Sequence, residues 1–153
     1  AKYNFARIGA FPSATWERGF VQRKEETMAF GDIGGPVTEL VLTCRTPGTG
    51  PVSIAKGDAV KLTGDYNIDN ATDAEDAVFG QALGDSDQTS APIPVKVRGG
   101  CVFGYTGSAP AADGSAGILA SATDGKVKAP ASGNGVGLNL KVDTTNSVVH
   151  VLL

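Results

Sequence analysis

Hydrophobic and polar positions alternate over short stretches along most of the chain, and helical periodicity is almost absent. The clearest alternation lies in residues 92–98, where the two prolines favour a strand start or a sheet edge. Turn-forming residues recur roughly every 8 to 12 positions, a spacing typical of all-β domains. The pattern therefore predicts an all-β fold, either a small barrel or a sandwich.

Several further short strands are predicted after residue 51. Gly57-Asp58 and Asp124-Gly125 are predicted to form tight turns. The best helix candidate, residues 70–77, is short and acidic, and we expect a loop or a single turn there. We expect residues 101–105 to continue the strand of residues 92–98 after a Gly-Gly break. The remaining predicted strands are residues 59–62, 78–83, 116–119, 126–128, 135–140 and 148–152.

The predicted elements occur twice in the same order. Each half has a turn and a strand, then a polar loop, a Val-Gly strand, an Asp-rich turn and a Val-x-Val strand. In this arrangement Gly80 and Gly137 are equivalent. The sequence thus predicts two similar β units, residues 54–105 and 110–153, within a barrel-like body that spans residues 51–153.

Aromatic residues are concentrated ahead of this body. Six of the ten aromatic residues fall within the first 30 positions, among glycines and prolines that interrupt regular structure. Residues 1–50 are therefore predicted to form an extended aromatic-rich N-terminal arm, and residues 46–51 a turn or hinge between arm and body.

Tyr, Trp, Phe and Arg side chains dominate the energetics of protein interfaces. A segment that is rich in them and poor in regular structure is expected to lie on another protein surface. The alternative is that the arm folds back as strands on its own barrel. The interface candidates are Tyr3, Phe5, Phe11, Trp16, Phe20, Arg23 and Phe30.

Composition and charge exclude several classes of protein. Charged residues make up 19% of the chain and hydrophobic residues 41%, and no apolar run approaches the roughly 18 residues that cross a bilayer. Residues 1–50 carry six Lys/Arg against five Asp/Glu, or +1, and residues 51–153 carry seven against eleven, or −4. Neither part offers a basic face for a phosphate backbone. We expect no membrane and no nucleic acid among the partners.

The first residue, Ala1, fits removal of an initiator Met, so we expect synthesis in the cytosol. In that compartment Cys44 and Cys101, each beside β-forming residues, are expected to be buried free thiols rather than a disulfide.

Candidate catalytic and metal chemistry is sparse. The one histidine, His150, lies in an alternating apolar strand and is predicted to face solvent. The cysteines and His150 lack the spacing of a zinc site, and no nucleophile elbow is present. The glycine-rich run 31–35 lacks the ending of a phosphate loop and is predicted to be a flexible bend. Acidic pairs at residues 73–76 and 85–87 are predicted to be solvated turns. We expect neither enzymatic activity nor a cofactor or metal.

Seven short motifs together suggest a family. The first half has I-x-x-G-D-x-V-x-L at 54–62, VFGQAL at 78–83 and VKVRG at 95–99. The second half has AGIL at 116–119, GKV at 125–127, VGL at 136–138 and VHVLL at 149–153. In this order they resemble the head decoration (cement) proteins of tailed bacteriophages, over about residues 54–153.

This resemblance implies a small β-barrel-like structural protein without catalysis. It implies a homotrimer on the outer surface of the virion capsid, made in the host cytoplasm, that binds the major capsid protein and stabilises the shell by bridging neighbouring subunits. The arm has no counterpart in the family motifs. The alternative function is a carbohydrate- or host-surface-binding β module of the fibre or adhesin type, which would require clustered, exposed aromatic residues on the body.

Overall fold

The computed structural model describes residues 39–72, 75–113 and 116–153. These residues form ten β-strands and no helix, so the predicted all-β fold is confirmed. The strands are β1 (Leu40–Arg45), β2 (Ala59–Gly64), β3 (Asn67–Asn70), β4 (Gly80–Ala82), β5 (Pro92–Arg98), β6 (Gly100–Gly104), β7 (Leu119–Ala120), β8 (Val127–Lys128), β9 (Leu138–Asp143) and β10 (Val148–Leu152).

The first five strands form a closed barrel in the order β1-β3-β2-β4-β5, which we call the first ring. β5 pairs antiparallel with both β1 and β4, and a parallel pairing of β1 with β3 closes the ring. Pro92 is the first residue of β5, as the sequence predicts. The alternative of a sheet edge is wrong, because β5 has a neighbouring strand on each side.

The last five strands repeat this order of pairings, and we call them the second ring. β6, β10 and β9 form one antiparallel sheet, and β7 and β8 form a hairpin. A parallel bridge joins Tyr105 to Val127, and an antiparallel bridge joins Ile118 to Val136. The β6–β10 and β9–β10 pairs correspond to β1–β5 and β4–β5. The hairpin corresponds to β2–β3, and the two bridges correspond to β1–β3 and β2–β4.

Two glycines that the sequence treats as equivalent occupy matching places in the rings. A Cβ atom on Gly80 would lie 2.5 Å from the carbonyl oxygen of Lys96 in β5. A Cβ atom on Gly137 would lie 2.8 Å from the carbonyl oxygen of Leu152 in β10. In each ring the missing side chain lets one strand approach the backbone of the last strand. The internal duplication itself stays a prediction.

The boundary between the two units differs from the predicted one. Gly99 has a φ of +117°, a conformation that residues with a Cβ rarely adopt, and it turns the chain out of the barrel. Residues 101–104 therefore do not continue β5 but lie in β6, which opens the second ring, and Tyr105 follows this strand. Gly99 also exchanges two backbone hydrogen bonds with Leu153, at 3.3 and 3.1 Å, so the end of the chain closes beside this turn.

The predicted arm also ends earlier than residue 50. Leu40–Arg45 forms β1 and belongs to the barrel. Residues 46–51 form a surface bend that follows β1, not a hinge between arm and body. Its first residue is anchored, because the buried Thr46 hydroxyl donates to the Gln88 carbonyl (2.6 Å) and accepts from the Ala91 N–H (2.8 Å). Residues 1–38 of the predicted arm lie outside the described residues.

Alternating strand positions build two connected cores. Residues of the first ring, including Val60, Ile68 and Ile93, fill the barrel. The second core centres on the fully buried Phe103 and includes three residues of the first ring, Ala59, Ala71 and Val78. Because first-ring residues are part of the second core, the two rings pack as one body. Cys44 and Cys101 are buried and unpaired, which confirms the prediction of free thiols.

We expect Gly80→Ala to lower the free energy of unfolding by about 1–3 kcal/mol, because the new methyl group meets backbone that can shift only by opening the ring. Gly84→Ala is the matched control, since its Cβ would lie at an ordinary 3.7 Å from Pro94. We expect it to change stability by less than about 0.5 kcal/mol. Urea unfolding followed by circular dichroism measures both, and equal losses would contradict the close approach at Gly80.

Candidate interaction surface

The interface candidates of the sequence are not among the described residues. Their proposed contacts stay a prediction, and the surface described below belongs to the body alone. The seven candidates outside the described ranges are Tyr3, Phe5, Phe11, Trp16, Phe20, Arg23 and Phe30.

The aromatic side chains of the body are mostly internal. Phe103 and Tyr105 are buried in the second ring, and Phe79 is half-buried between the rings. Tyr66, at the β2–β3 turn, is 65% exposed and is the one exposed aromatic residue in the described part of the chain. The clustered aromatics that a carbohydrate-binding module requires are therefore not found on this part of the body.

The outer surface of the β6-β10-β9 sheet carries exposed aliphatic side chains. Val102 of β6 lies opposite His150 of β10, and the leucines of β9 lie on the same side of the sheet. Val102 is 44% exposed and Leu140 is 60% exposed. We call Val102, Leu140 and His150 the sheet face. His150 is half-buried between inward-facing valines, in line with its predicted place on an alternating strand.

β9 inverts the usual pattern of a strand on a core. Asn139 points inward and is 1% exposed, whereas Leu138 and Leu140 point outward. The Asn139 side-chain amide donates to the carbonyl oxygens of Ala111 (2.9 Å) and Gly117 (2.8 Å), so it holds the loop before β7 against the sheet. The alternation Leu138-Asn139-Leu140 shows that the leucines and the asparagine face opposite sides of the strand. A hydrophobic pattern alone, however, assigns the leucines to the core.

An apolar groove lies between the two rings, close to the sheet face. Its volume is about 680 Å³, and Arg98 is the one charged residue among those that line it. Volumes of this size accommodate a small ligand or a few large side chains. We call it the inter-ring groove, and its lining consists of Phe79, Val97, Arg98, Val136, Gly137, Leu138, Leu152 and Leu153.

The acidic turns have structural partners. Asp76 pairs with Lys61 at 2.7 Å, and Glu75 pairs with Lys128 of the second ring at 2.7 Å. Asp85 accepts a hydrogen bond from the Lys56 backbone N–H at 2.6 Å. Glu75 and Asp85 are exposed and Asp76 is half-buried, in line with the predicted solvated turns, and the sequence missed only the partners that these carboxylates have at the surface.

The described part of the chain brings together no three His, Cys, Asp or Glu side chains that could hold a metal ion. Nor does it contain a helix of the length and apolar character needed to cross a membrane. Comparison with known proteins gave no matching family model and no matching curated protein.

Burial sets the chemistry of the two thiols. It raises the pKa of Cys44, and it raises the pKa of Cys101 from 9.0 to about 11, with a lowering contribution from Lys96 and a raising one from Glu39. Both side chains therefore stay protonated at neutral pH, and neither behaves as an activated nucleophile.

We expect the native protein to react slowly with a disulfide reagent such as DTNB at mildly alkaline pH, because the thiols are buried and protonated. In guanidinium chloride both cysteines should react at the rate of free thiols. Absorbance of the released thiolate follows the reaction. Fast labelling of one thiol in the native state, with no loss of structure by circular dichroism, would contradict the buried placement of that cysteine.

Proposed function

We propose that this chain is a structural virion protein that binds the outer surface of a phage capsid and stabilises the shell by bridging neighbouring capsid subunits. The family resemblance supplies the capsid context. The observation that carries the proposal is the sheet face, where the exposed aliphatic side chains of Val102 and Leu140 lie on the same side of one sheet as the half-buried His150. Contiguous apolar patches on soluble proteins mark sites of contact with other proteins.

The sheet face is suited to a weak contact with a capsid subunit that is repeated in every copy of the protein. Full burial of a Leu or Val side chain contributes about 1.5–3 kcal/mol, and Leu140 and Val102 are roughly half exposed, so each has part of that gain still available. A homo-oligomer presents several copies of the face to a symmetric shell. Linked copies bind more tightly than one copy, since later attachments become intramolecular.

Hydrogen bonds between the two rings are suited to a protein that must resist force on the capsid shell. The Gln81 side-chain amide donates to the carbonyl oxygens of Gly57 (3.3 Å) in its own ring and Val102 (2.5 Å) in the second ring. The backbone N–H of Ala59 donates to the Gly125 carbonyl at 2.8 Å. Force applied at the sheet face is thereby passed to the barrel through hydrogen bonds as well as through the shared core.

Bridging capsid subunits requires protein–protein contacts, so the expected partners are proteins. We propose the major capsid protein and further copies of this chain, arranged as a homotrimer, with assembly on the virion after synthesis in the host cytoplasm. The body, with its net −4 over residues 51–153, offers little attraction for packaged nucleic acid.

We expect the paired substitution Val102→Asp and Leu140→Asp to weaken binding to capsids at least about tenfold, because it places charge on the sheet face. Leu62→Asp is the matched control: Leu62 is 49% exposed and lies on β2 of the first ring. Co-sedimentation with undecorated capsids of the phage that encodes the chain measures occupancy.

Both variants should retain the circular dichroism spectrum and urea midpoint of the parent chain, because all three positions are exposed. Undiminished occupancy for the sheet-face variant would remove the sheet face from the proposal. Absence of co-sedimentation for the parent chain itself would overturn the proposed function.

A further inference from the structure

The described chain begins at the rim of the inter-ring groove. Glu39, its first residue, is held by an ion pair of 2.8 Å with Lys96 of β5. The next residue, Leu40, pairs with Arg98, which lines the groove. Residues 1–38 therefore join the body beside one wall of the groove.

The opposite wall is connected to this point through Gly99. A Cβ atom on Gly99 would lie 3.1 Å from the Glu39 side chain, and Gly99 is hydrogen-bonded to Leu153, another residue of the lining. Residues of both walls thus lie near Glu39, and backbone hydrogen bonds between Gly99 and Leu153 hold the second wall at this point.

The composition of residues 1–38 matches the groove. The first 30 of these residues hold six aromatic side chains, and the groove is lined almost wholly by aliphatic and aromatic side chains. Arg98, the one charged lining residue, is exposed at the rim, and Glu17 directly follows Trp16 in the sequence. An aromatic side chain in the groove with a carboxylate near Arg98 is a complementary pairing.

We propose that the inter-ring groove binds the aromatic N-terminal segment of a second copy of this chain. The choice of a second copy rests on the proposed function, which requires contact between copies. At about 3.3 Å per extended residue, the nine residues from Phe30 to Glu39 span up to about 30 Å, enough to reach an adjacent body of this size.

A contact between segment and groove is head-to-tail, since the two surfaces are different. Each copy then donates one segment and accepts one, and the arrangement closes into a ring when the rotation between copies permits it. Such a ring uses the groove for self-association, whereas the proposed capsid contact uses Val102, Leu140 and His150, which do not line the groove.

Sedimentation velocity of the full chain without capsids tests the proposal. The groove variant is Leu138→Asp with Leu152→Asp; these side chains are 46% and 43% exposed, so the body should stay folded. The segment variant is Trp16→Ser with Phe20→Ser. We expect each to weaken self-association at least about tenfold. Arg98→Glu, at an exposed position, is a second groove variant expected to act in the same direction.

Leu62→Asp is the matched control for the groove variant, because Leu62 is 49% exposed on β2 and lines neither the groove nor the sheet face. It should associate like the parent chain. An equal mixture of groove and segment variants should form dimers that neither forms alone, since the intact segment of one meets the intact groove of the other.

Association of the folded groove variants at the parent strength would overturn the proposal, as would a parent chain that stays monomeric at all concentrations. Variants that remain monomeric when mixed would overturn the assignment to a second copy. Capsid binding is measured separately. Loss of capsid binding with the expected self-association would count against the proposed function and leave the groove assignment standing.

Discussion

Closure of each strand ring is the constraint on which the rest of this structure depends. Burying a strand whose backbone N–H and C=O groups lack hydrogen-bond partners is costly. In each ring the last strand pairs with the first, β5 with β1 and β10 with β6, and this pairing supplies the partners. Closure on so few strands demands very close backbone approach, which explains glycine at Gly80 and Gly137. It also fixes which side chains face inward, because strand side chains alternate.

The apolar surfaces follow from that alternation. In β10 the inward places belong to Val149 and Val151, so Leu152 is left outside. In β9 the inward place goes to Asn139, whose amide ties down the preceding loop and displaces two leucines to the exterior. The exposure of Leu138 and Leu140 thus accompanies internal hydrogen bonding, and four of the seven exposed large aliphatic residues in the described part of the chain belong to the β6-β10-β9 sheet.

The sequence predicted strands and turns, which depend on neighbouring residues, and missed features that depend on pairing between strands far apart in the chain. Residues 92–98 were predicted as a strand and form β5, and the Asp124-Gly125 turn joins β7 to β8, because alternation and turn chemistry act within a few residues. β1 was assigned to the arm because the boundary was drawn from the aromatic distribution and the turn-rich residues 46–51. Its place in the barrel depends on pairing with β5, about fifty residues later in the chain. The boundary at Gly99 and the groove depend on pairings of β6 with β10, nearly fifty residues apart, which no local pattern encodes.

The shared core gives the groove its capacity to bind. Ala59, Ala71 and Val78 of the first ring lie in the core of the second, so the walls of the groove cannot separate without exposing buried surface. A groove that is already open in the folded body reorganises little when a side chain binds. The entropy cost of ordering then falls only on the incoming segment. Aromatic side chains suit such a segment, since each buries a large area for few rotatable bonds. The same packing that makes one body of two rings therefore holds the proposed binding groove in a fixed shape.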